Sequence, residues 1–336
     1  MDQIAKLRLQ NKELNYAKKG IISGLIAGGA WGLDGVLMGM VLILAPFKYN
    51  TSIFLVPLVG ACLHDGFAAL WIFINNLING KWRDYIRTLK TKPGKIIIVA
   101  AVLGGPVGMS ANLIAIYFSG ASYTAAITAV YPAIGAVIGF IFLKEKITVR
   151  IWIGIILSIL GSFIVGFSPP KNYIYPFFYL GIGFAVIAAI GWALEGVIST
   201  YGMDLVDSDI AIGIREAASF IIYVVVIIPI YGDSGYKLIL NSLLTISGLY
   251  IALIALIGGI SFLSWYRAMN STGVTRAMGL NVTFALWSVF FGWLLNGLQI
   301  SMNLIVGVVI ISFGTILTID NPKNLVNLRS LHKEEK

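Results

Sequence analysis

Two tryptophan–acid pairs lie inside long apolar stretches of this sequence. Residues 30–36 read AWGLDGV and residues 191–197 read GWALEGV, so Trp31 and Asp34 recur as Trp192 and Glu195 at an offset of 161. Residues three apart are neighbours on a helix, so each pair presents an indole face and a carboxylate together. Aromatic faces beside an anion suit a weakly hydrated cation, above all a quaternary ammonium group, which has no hydrogen bond to donate. The pairs therefore predict a cation-binding site.

A carboxylate in an apolar segment needs a compensating partner, because insertion scales put its cost at about 2.5 to 3.5 kcal/mol. Asp65 and Glu216 add two more acids early in later apolar segments, whereas Arg215 is the only basic residue well inside one. Glu216 is the nearest partner of Arg215 along the chain, although adjacent residues do not face each other on a helix. We therefore expect the other acids to be protonated, hydrated or paired with a bound cation.

Several polar and small residues near these pairs have two interpretations. His64, beside Asp65, has the titration range of a proton shuttle, but one histidine near the entrance of an apolar segment also serves as a hydrogen-bonded packing residue. Asp65 and Glu216 are candidates for substrate contact, proton relay or a place at a helix start. Glycines around the first pair fit either sliding helices or tight packing: Gly28, Gly29, Gly32 and Gly35.

The composition is that of an integral membrane protein. Of the 336 residues, 58% are hydrophobic and 12% are charged, and the mean hydropathy is +0.88, which is unlike a soluble domain. A single cysteine excludes an intrachain disulfide framework, and with only two histidines the chain offers few metal ligands. The net charge of +9 is spread over short connections and forms no basic stripe with interleaved aromatics. We expect no cofactor, metal or nucleic-acid partner.

Apolar stretches of about 18 or more residues predict ten transmembrane helices in a lipid bilayer. Their starts are predicted near Gly20, Ile53, Ile96, Tyr123, Ile151, Ile174, Ala211, Ser247, Ala277 and Met302. Lysine and arginine number 20 in the tails and connections on the side of the N-terminus and 3 on the other side, which predicts cytoplasmic termini. The connection after the sixth span is an exception, with Asp204, Asp207 and Asp209 but no basic residue.

The chain reads as two copies of a five-helix unit. The last span of each half carries two glycines seven apart, Gly154 with Gly161 and Gly307 with Gly314, at an offset of 153. Because five is odd, the second copy enters the membrane from the opposite side. The predicted fold class is an all-α membrane protein with ten transmembrane helices in two inverted five-helix repeats.

The domain boundaries follow from this repeat. We predict a cytoplasmic N-terminal tail (1–19), a first repeat (20–170), a second repeat (171–320) and a cytoplasmic C-terminal tail (321–336). Inverted repeats are typical of transporters, with the substrate near the bilayer midplane where the halves meet. The glycines fit this arrangement, since small residues let membrane helices approach closely.

The stretch that closes the first half, YPAIGAVIGFIFLKEKITVRIWIGIILSILGSFIVG, resembles the EamA-type drug/metabolite transporter superfamily. Glu145 at the end of the fourth span and the glycine pair of the fifth are its most recognisable marks, while the second half has Asn296 in place of Glu145. The resemblance implies a multi-pass protein of the bacterial cytoplasmic (inner) membrane that works by alternating access. It also implies that four further candidates lie on helices facing the centre: Asn112, Tyr117, Trp265 and Tyr266.

Within that superfamily the two tryptophan–acid pairs, Trp31 with Asp34 and Trp192 with Glu195, resemble those of bacterial choline permeases. This resemblance implies import of choline or a related quaternary ammonium compound, driven by the inside-negative potential, with proton coupling as an added hypothesis. The alternative is an exporter of amino acids or other small metabolites or drugs; a zwitterion would need a cationic partner, for which Arg215 is the in-span candidate. The chain has no HExxH, GxSxG or P-loop motif, which argues against an enzyme, and inverted halves favour a transporter over a channel.

Overall fold

The structure is a computed structural model that describes residues 3–50, 52–143, 148–166 and 175–318. The regular elements in these ranges are all helical. Eight helical segments there are long and apolar enough to cross a membrane: Lys18–Val41, Leu55–Ile78, Lys92–Ser119, Ala121–Phe142, Phe178–Gly202, Ser208–Leu243, Ile246–Thr272 and Val274–Asn296. Shorter apolar helices at Val149–Gly166 and Met302–Thr318 complete the set. The protein is an all-α membrane protein.

These ten helices, numbered here as the first to tenth spans, correspond to the ten predicted spans. The starts that can be compared differ from prediction by at most four residues, the largest difference being Lys92 against the expected Ile96. The predicted sixth start, Ile174, lies outside the described residues, and that helix begins at Phe178. Glu145 and the predicted C-terminal tail also lie outside them.

Two spans have features that hydropathy alone does not show. The first helix is Gln3–Val41, so the described part of the predicted tail continues the helix; its Lys, Leu, Gln and Glu residues are good helix formers. The seventh span runs as an α-helix over Ser208–Ile222, passes through π and 3-10 turns, and is followed by a separate helix at Gly232–Leu243.

The packing of the spans has an internal two-fold relation. The first span packs on the eighth and ninth, as the sixth packs on the third and fourth; the second packs on the eighth, as the seventh packs on the third. The second also packs on the seventh, and the fifth on the tenth. Replacing each span by the one five positions along reproduces all of these contacts, which is the arrangement expected of two inverted repeats.

The fifth and tenth spans cross at their glycines. A Cβ on Gly161 would lie 2.6 Å from the carbonyl oxygen of Gly307, and a Cβ on Gly314 would lie 2.5 Å from that of Gly154. The four glycines therefore pack in two reciprocal pairs, where the backbones approach too closely for any side chain.

The fourth and ninth spans are interrupted at matching positions. The fourth consists of helices Ala121–Thr128 and Tyr131–Phe142, and the ninth of helices Val274–Asn281 and Phe284–Asn296. Each follows a glycine with a φ of 84°, Gly120 or Gly273, a conformation that other residues rarely adopt. Both interruptions occur in the middle of the molecule, where they position residues of the candidate site.

Candidate functional site

The interior of the protein contains a small cavity walled by aromatic rings. Its aromatic lining is Trp31, Tyr131, Trp192, Phe262, Trp265 and Phe284. The centroids of Trp31 and Trp192 are 5.5 Å apart with the ring planes nearly perpendicular, and Phe262 is 5.3 Å from Trp31. The first and sixth spans, one from each half, thus bring their indoles together. We call this space the aromatic cavity.

The interrupted helices supply one side of the aromatic cavity. Tyr131 begins the second helix of the fourth span, and Phe284 begins the second helix of the ninth. Their ring centroids are 6.3 Å apart, and Tyr131 also lies 6.4 Å from the rings of Trp192 and of Trp265. Discontinuous helices at corresponding positions of two halves are typical of substrate sites in inverted-repeat transporters.

Glu195 is the acidic residue in the lining of the aromatic cavity. Its Oε1 accepts hydrogen bonds from Arg215 Nε at 2.9 Å and from Tyr266 OH at 2.8 Å. Arg215 also donates through Nη1 to Glu216. The carboxylate is therefore held in place by a guanidinium on the seventh span and a phenol on the eighth, with little freedom to move.

A second acid–base pair occupies the equivalent place in the first half. His64 Nε2 lies 2.8 Å from Asp34 Oδ2, and His64 Nδ1 lies 3.5 Å from Asp65 Oδ1. In each half, a base on the second helix of the repeat thus contacts the acid that follows the tryptophan on the first. The base is an imidazole in one half and a guanidinium in the other.

The two acid–base pairs form one buried cluster with an excess of acid. Arg215 Nη1 lies 3.8 Å from Asp65 Oδ2, which links the pairs. The cluster has four carboxyl groups, from Asp34, Asp65, Glu195 and Glu216, all at most 1% exposed. Against them stand one guanidinium and one imidazole, so the cluster has twice as many acids as bases. Where the surplus acids are ionised, their field favours a cation beside the cluster.

Close backbone approach makes room for the cluster. A Cβ on Gly258 of the eighth span would overlap His64 Nε2 and Asp34 Oδ2, and a Cβ on Gly104 of the third span would overlap the Glu195 carboxylate. The third span forms a π-helical turn over Leu103–Met109, and its carbonyls accept side-chain hydrogen bonds. Trp192 Nε1 donates to the carbonyl of Gly104 at 3.2 Å, which fixes the orientation of this indole.

A second cavity lies on another side of Trp31 and is more polar. Its lining includes Asn112, Thr124, Thr128 and Ser288 together with Gly32 and Gly35. Among these, Ser288 Oγ is buried without a hydrogen-bond partner. Trp31 and Phe284 line both cavities.

The structure brings together four of the ten predicted site residues at the aromatic cavity: Trp31, Trp192, Glu195 and Trp265. Asn112 lines the second cavity. Tyr266 holds Glu195, while Asp34, Asp65 and Glu216 belong to the buried cluster. Tyr117 is half-buried and packs its ring 5.8 Å from Phe118, away from both linings.

Two expectations about the charged groups need correction. Arg215 contacts Glu216 as predicted from the sequence, but it also binds Glu195, twenty residues earlier. Asp34, Asp65 and Glu195, which we expected to be protonated, hydrated or paired with a bound cation, have protein bases as partners. The sequence does not reveal these pairs because they join different spans, and the register between spans is set by packing.

Five further residues of the aromatic lining were not predicted from the sequence: Tyr131, Ser261, Phe262, Asn281 and Phe284. One signal for them exists in the repeat. At the offset of 153 taken from the glycine pairs, Tyr131 matches Phe284 and Thr128 matches Asn281. All four lie at the helix interruptions and line one of the two cavities.

The acidic connection after the sixth span has a structural explanation. Asp209 accepts a bidentate pair of hydrogen bonds from Arg267, at 2.7 and 2.8 Å, and a third from Lys81 at 3.0 Å. Lys81 also donates to Asp207 at 2.9 Å. Burial lowers the pKa of the Lys81 ammonium, but its bonds to Asp207 and Asp209 raise that pKa further, so it lies above its usual value. The acids thus join Lys81, in the connection after the second span, to Arg267, near the end of the eighth span.

The fold and the site together define a class of protein. Ten spans in two inverted halves, with a central cavity at interrupted helices, are the architecture of a multi-pass membrane transporter. A family model described as the EamA-like transporter family matches residues 18–167 and 179–320. The chain belongs to the EamA-like transporter family, which consists of transporters rather than enzymes.

Individual relatives agree with this assignment. The chain is 28% identical to Protein LicB of Haemophilus influenzae over 221 residues, covering 66% of this chain and 74% of that protein. It is 25% identical over 242 residues to an uncharacterized transporter of Clostridium kluyveri, covering 70% and 75% of the two chains. A crystal structure of a protein with 14% sequence identity has a TM-score of 0.63, covers 93% of this chain and 98% of its own, and shares the fold.

Proposed function

We propose that this transporter imports choline or a closely related quaternary ammonium compound across the bacterial cytoplasmic membrane. The observation that carries the proposal is the pair of indoles, one from each half, that meet at 5.5 Å over a cavity containing Glu195. The similarity of both tryptophan–acid pairs to bacterial choline permeases supports it. In this proposal both termini are cytoplasmic, residues 20–170 and 171–320 are the repeats, and access alternates between them.

The energetics favour a soft cation in this cavity. Each aromatic face contributes about 0.5 to 2 kcal/mol to a cation held over it, and a quaternary ammonium loses little hydration on entry. The surplus of acids over bases in the buried cluster adds an attraction whenever those acids are ionised, and this attraction needs no direct contact. The aromatic cavity has a volume of only about 20 Å³, enough for about one water molecule. The rings must therefore separate to admit a larger ligand. Alternating access provides such a movement.

The same geometry is less suited to a zwitterion. An amino acid brings a carboxylate that needs a cationic partner, and no basic residue lines the aromatic cavity among the described residues. Arg215 is bound by Glu195 and Glu216 and is 1% exposed. Replacing Arg215 would leave two buried carboxylates without their partner, so that replacement does not distinguish import of a cation from export of an amino acid.

Proton coupling forms part of the proposal. A proton taken up by one acid or base of the buried cluster opposes a cation bound beside it, so the two compete. Of the two acid–base pairs, Asp34–His64 contains an imidazole, which can take up and release a proton, whereas the guanidinium of Arg215 stays charged. We therefore place the proton exchange at Asp34–His64.

The test is uptake of labelled choline by liposomes containing the purified full-length protein. An inside-negative potential of about 100 mV should concentrate choline up to about fiftyfold, because it is worth about 2.3 kcal/mol per charge. Unlabelled choline should compete and amino acids should not. Liposomes that take up no choline, or that exchange amino acids instead, would contradict the proposal. Uptake at a fixed potential that ignores an imposed pH gradient would rule out the coupling alone.

A further inference from the structure

Two buried polar atoms at the aromatic cavity have no hydrogen-bond partner. One is the donor Nε1 of Trp265, and the other is the acceptor Oδ1 of Asn281. Both residues line the cavity, and they are only 5% and 8% exposed. Native proteins rarely leave buried polar atoms unpaired, and each exception calls for a specific explanation. The aromatic cavity thus contains one unpaired hydrogen-bond donor and one unpaired acceptor.

The orientation of the Asn281 amide follows from its neighbours. Tyr131 OH donates to the carbonyl oxygen of Met278 at 3.3 Å, so its oxygen is free to accept. Asn281 Nδ2 donates to the hydroxyl oxygen of Tyr131 at 3.1 Å. The opposite orientation would place the amide oxygen against a phenol whose proton is already donated. Oδ1 is therefore the atom left open, and it can only accept a hydrogen bond.

The indole of Trp265 differs in this respect from that of Trp192. Trp192 Nε1 is bound to the carbonyl of Gly104, so this ring offers a ligand only its π system. Trp265 offers a ring and an open N–H. Its ring lies 6.4 Å from that of Tyr131, whose hydroxyl holds Asn281. The open donor and the open acceptor thus flank the same tyrosine.

We infer that Trp265 Nε1 and Asn281 Oδ1 form a subsite for the hydroxyl group of the substrate. A hydroxyl both donates and accepts, so one such group satisfies both atoms: it accepts from the indole N–H and donates to the amide oxygen. The inference rests on the proposed function and narrows it, because it makes the substrate an alcohol-bearing quaternary ammonium compound. The cationic head occupies the aromatic faces near Glu195, and the hydroxyl arm reaches Trp265 and Asn281.

This subsite discriminates among compounds with the same cationic head. Tetramethylammonium has no hydroxyl and leaves both atoms unpaired. The carboxylate of betaine and the ester of acetylcholine accept from Trp265 but have no proton for Asn281, so an oxygen faces an oxygen there. Sites that hydrogen-bond a hydroxyl reject analogues lacking it, because their own polar groups then stay unpaired. Choline should therefore bind most tightly of the four.

The experiment is calorimetric titration of the purified full-length protein with choline, tetramethylammonium, betaine and acetylcholine. We expect choline to bind at least about tenfold more tightly than tetramethylammonium, the combined effect of two hydrogen bonds. Equal affinities for these two ligands would overturn the subsite and leave the proposed function intact. No binding of any quaternary ammonium compound would overturn both. This comparison uses the wild-type protein and does not depend on the folding of a variant.

Two substitutions assign the effect to the named atoms. Trp265→Phe keeps an aromatic face and removes the N–H, and Asn281→Leu removes the acceptor at similar volume. Each should reduce the preference for choline over tetramethylammonium to about threefold or less, while binding of tetramethylammonium shows that the variant is folded. Trp293→Phe, at a tryptophan that is 53% exposed, is the matched control and should keep the wild-type preference. Wild-type preference in both test variants would contradict the assignment.

Discussion

At the scale of single residues, the two halves use the same plan with different bases. Each half has a tryptophan and an acid three residues later on its first helix. A base on the second helix of the same half contacts that acid. His64 and Arg215 occupy these equivalent places, at an offset of 151. Of these two bases, the imidazole can gain and lose a proton, whereas the guanidinium stays charged. The asymmetry separates a fixed pair beside the aromatic cavity, Glu195–Arg215, from a titratable one, Asp34–His64.

Replacing His64 should separate proton coupling from substrate binding. His64→Gln keeps a hydrogen-bonding group near Asp34 but does not titrate, so uptake of choline should lose its dependence on a pH gradient. The affinity for choline should not weaken, because His64 does not line the aromatic cavity and its replacement removes no acid from the buried cluster. Liposome uptake at one fixed potential, with and without a pH gradient, measures the first effect, and calorimetry measures the second. Full dependence on the pH gradient in His64→Gln would contradict this role.

Residues of unusual type identified part of the site from the sequence alone. Residues of ordinary type could be assigned to the site only from the structure. Trp31, Trp192 and Glu195 stand out because an aromatic followed by an acid is unusual inside an apolar span. Phe262 does not stand out, since phenylalanine is common in such spans, and only packing shows that it lies 5.3 Å from Trp31. Asn281 lies at an interruption of the ninth span that hydropathy does not detect.

At the scale of helices, more could be predicted from the sequence than at the scale of residues, because burial in lipid demands long apolar segments. The ten spans follow from this requirement, and the close crossing of the fifth and tenth follows from their glycines. The interruptions of the fourth and ninth spans were not predicted. A break of two residues leaves the hydropathy of a span unchanged. Only the interruption of the fourth span has a proline beside it, Pro132.

The glycine crossing gives a matched pair of substitutions. In Gly161→Ala the new methyl group would lie 2.6 Å from the Gly307 carbonyl oxygen and 2.9 Å from the Ile311 nitrogen, so the helices must separate. We expect a loss of about 1 to 3 kcal/mol, seen as a lower thermal unfolding temperature of the purified protein. Gly183→Ala, on an exposed helix face with nothing within 4 Å, should be neutral or slightly stabilising. Equal unfolding temperatures for the two variants would show that the crossing tolerates a side chain.

At the scale of the whole molecule, the contacts between spans are unchanged when the halves are exchanged, but the site they enclose is not symmetric. Trp31 and Trp192 are equivalent, whereas Trp265 of the second half corresponds to Asn112 of the first at the offset of 153. The aromatic cavity has six aromatic residues in its lining, whereas the second cavity has two, with Asn112, Thr124, Thr128 and Ser288 beside them. The open donor and acceptor, on Trp265 and Asn281, both belong to the second half, so a ligand with a soft cationic head and one polar arm matches this asymmetry better than a symmetric cation does.

The central claim is that one cation binds between indoles contributed by the two halves. Calorimetric titration of choline into the wild-type protein, Trp31→Ala and Trp192→Ala tests it most directly. Each lost ring should weaken binding by about tenfold, within the range of one cation–π contact. The same substitution at the exposed Trp293 should leave the affinity unchanged. Wild-type affinity for choline in both Trp31→Ala and Trp192→Ala would contradict the account.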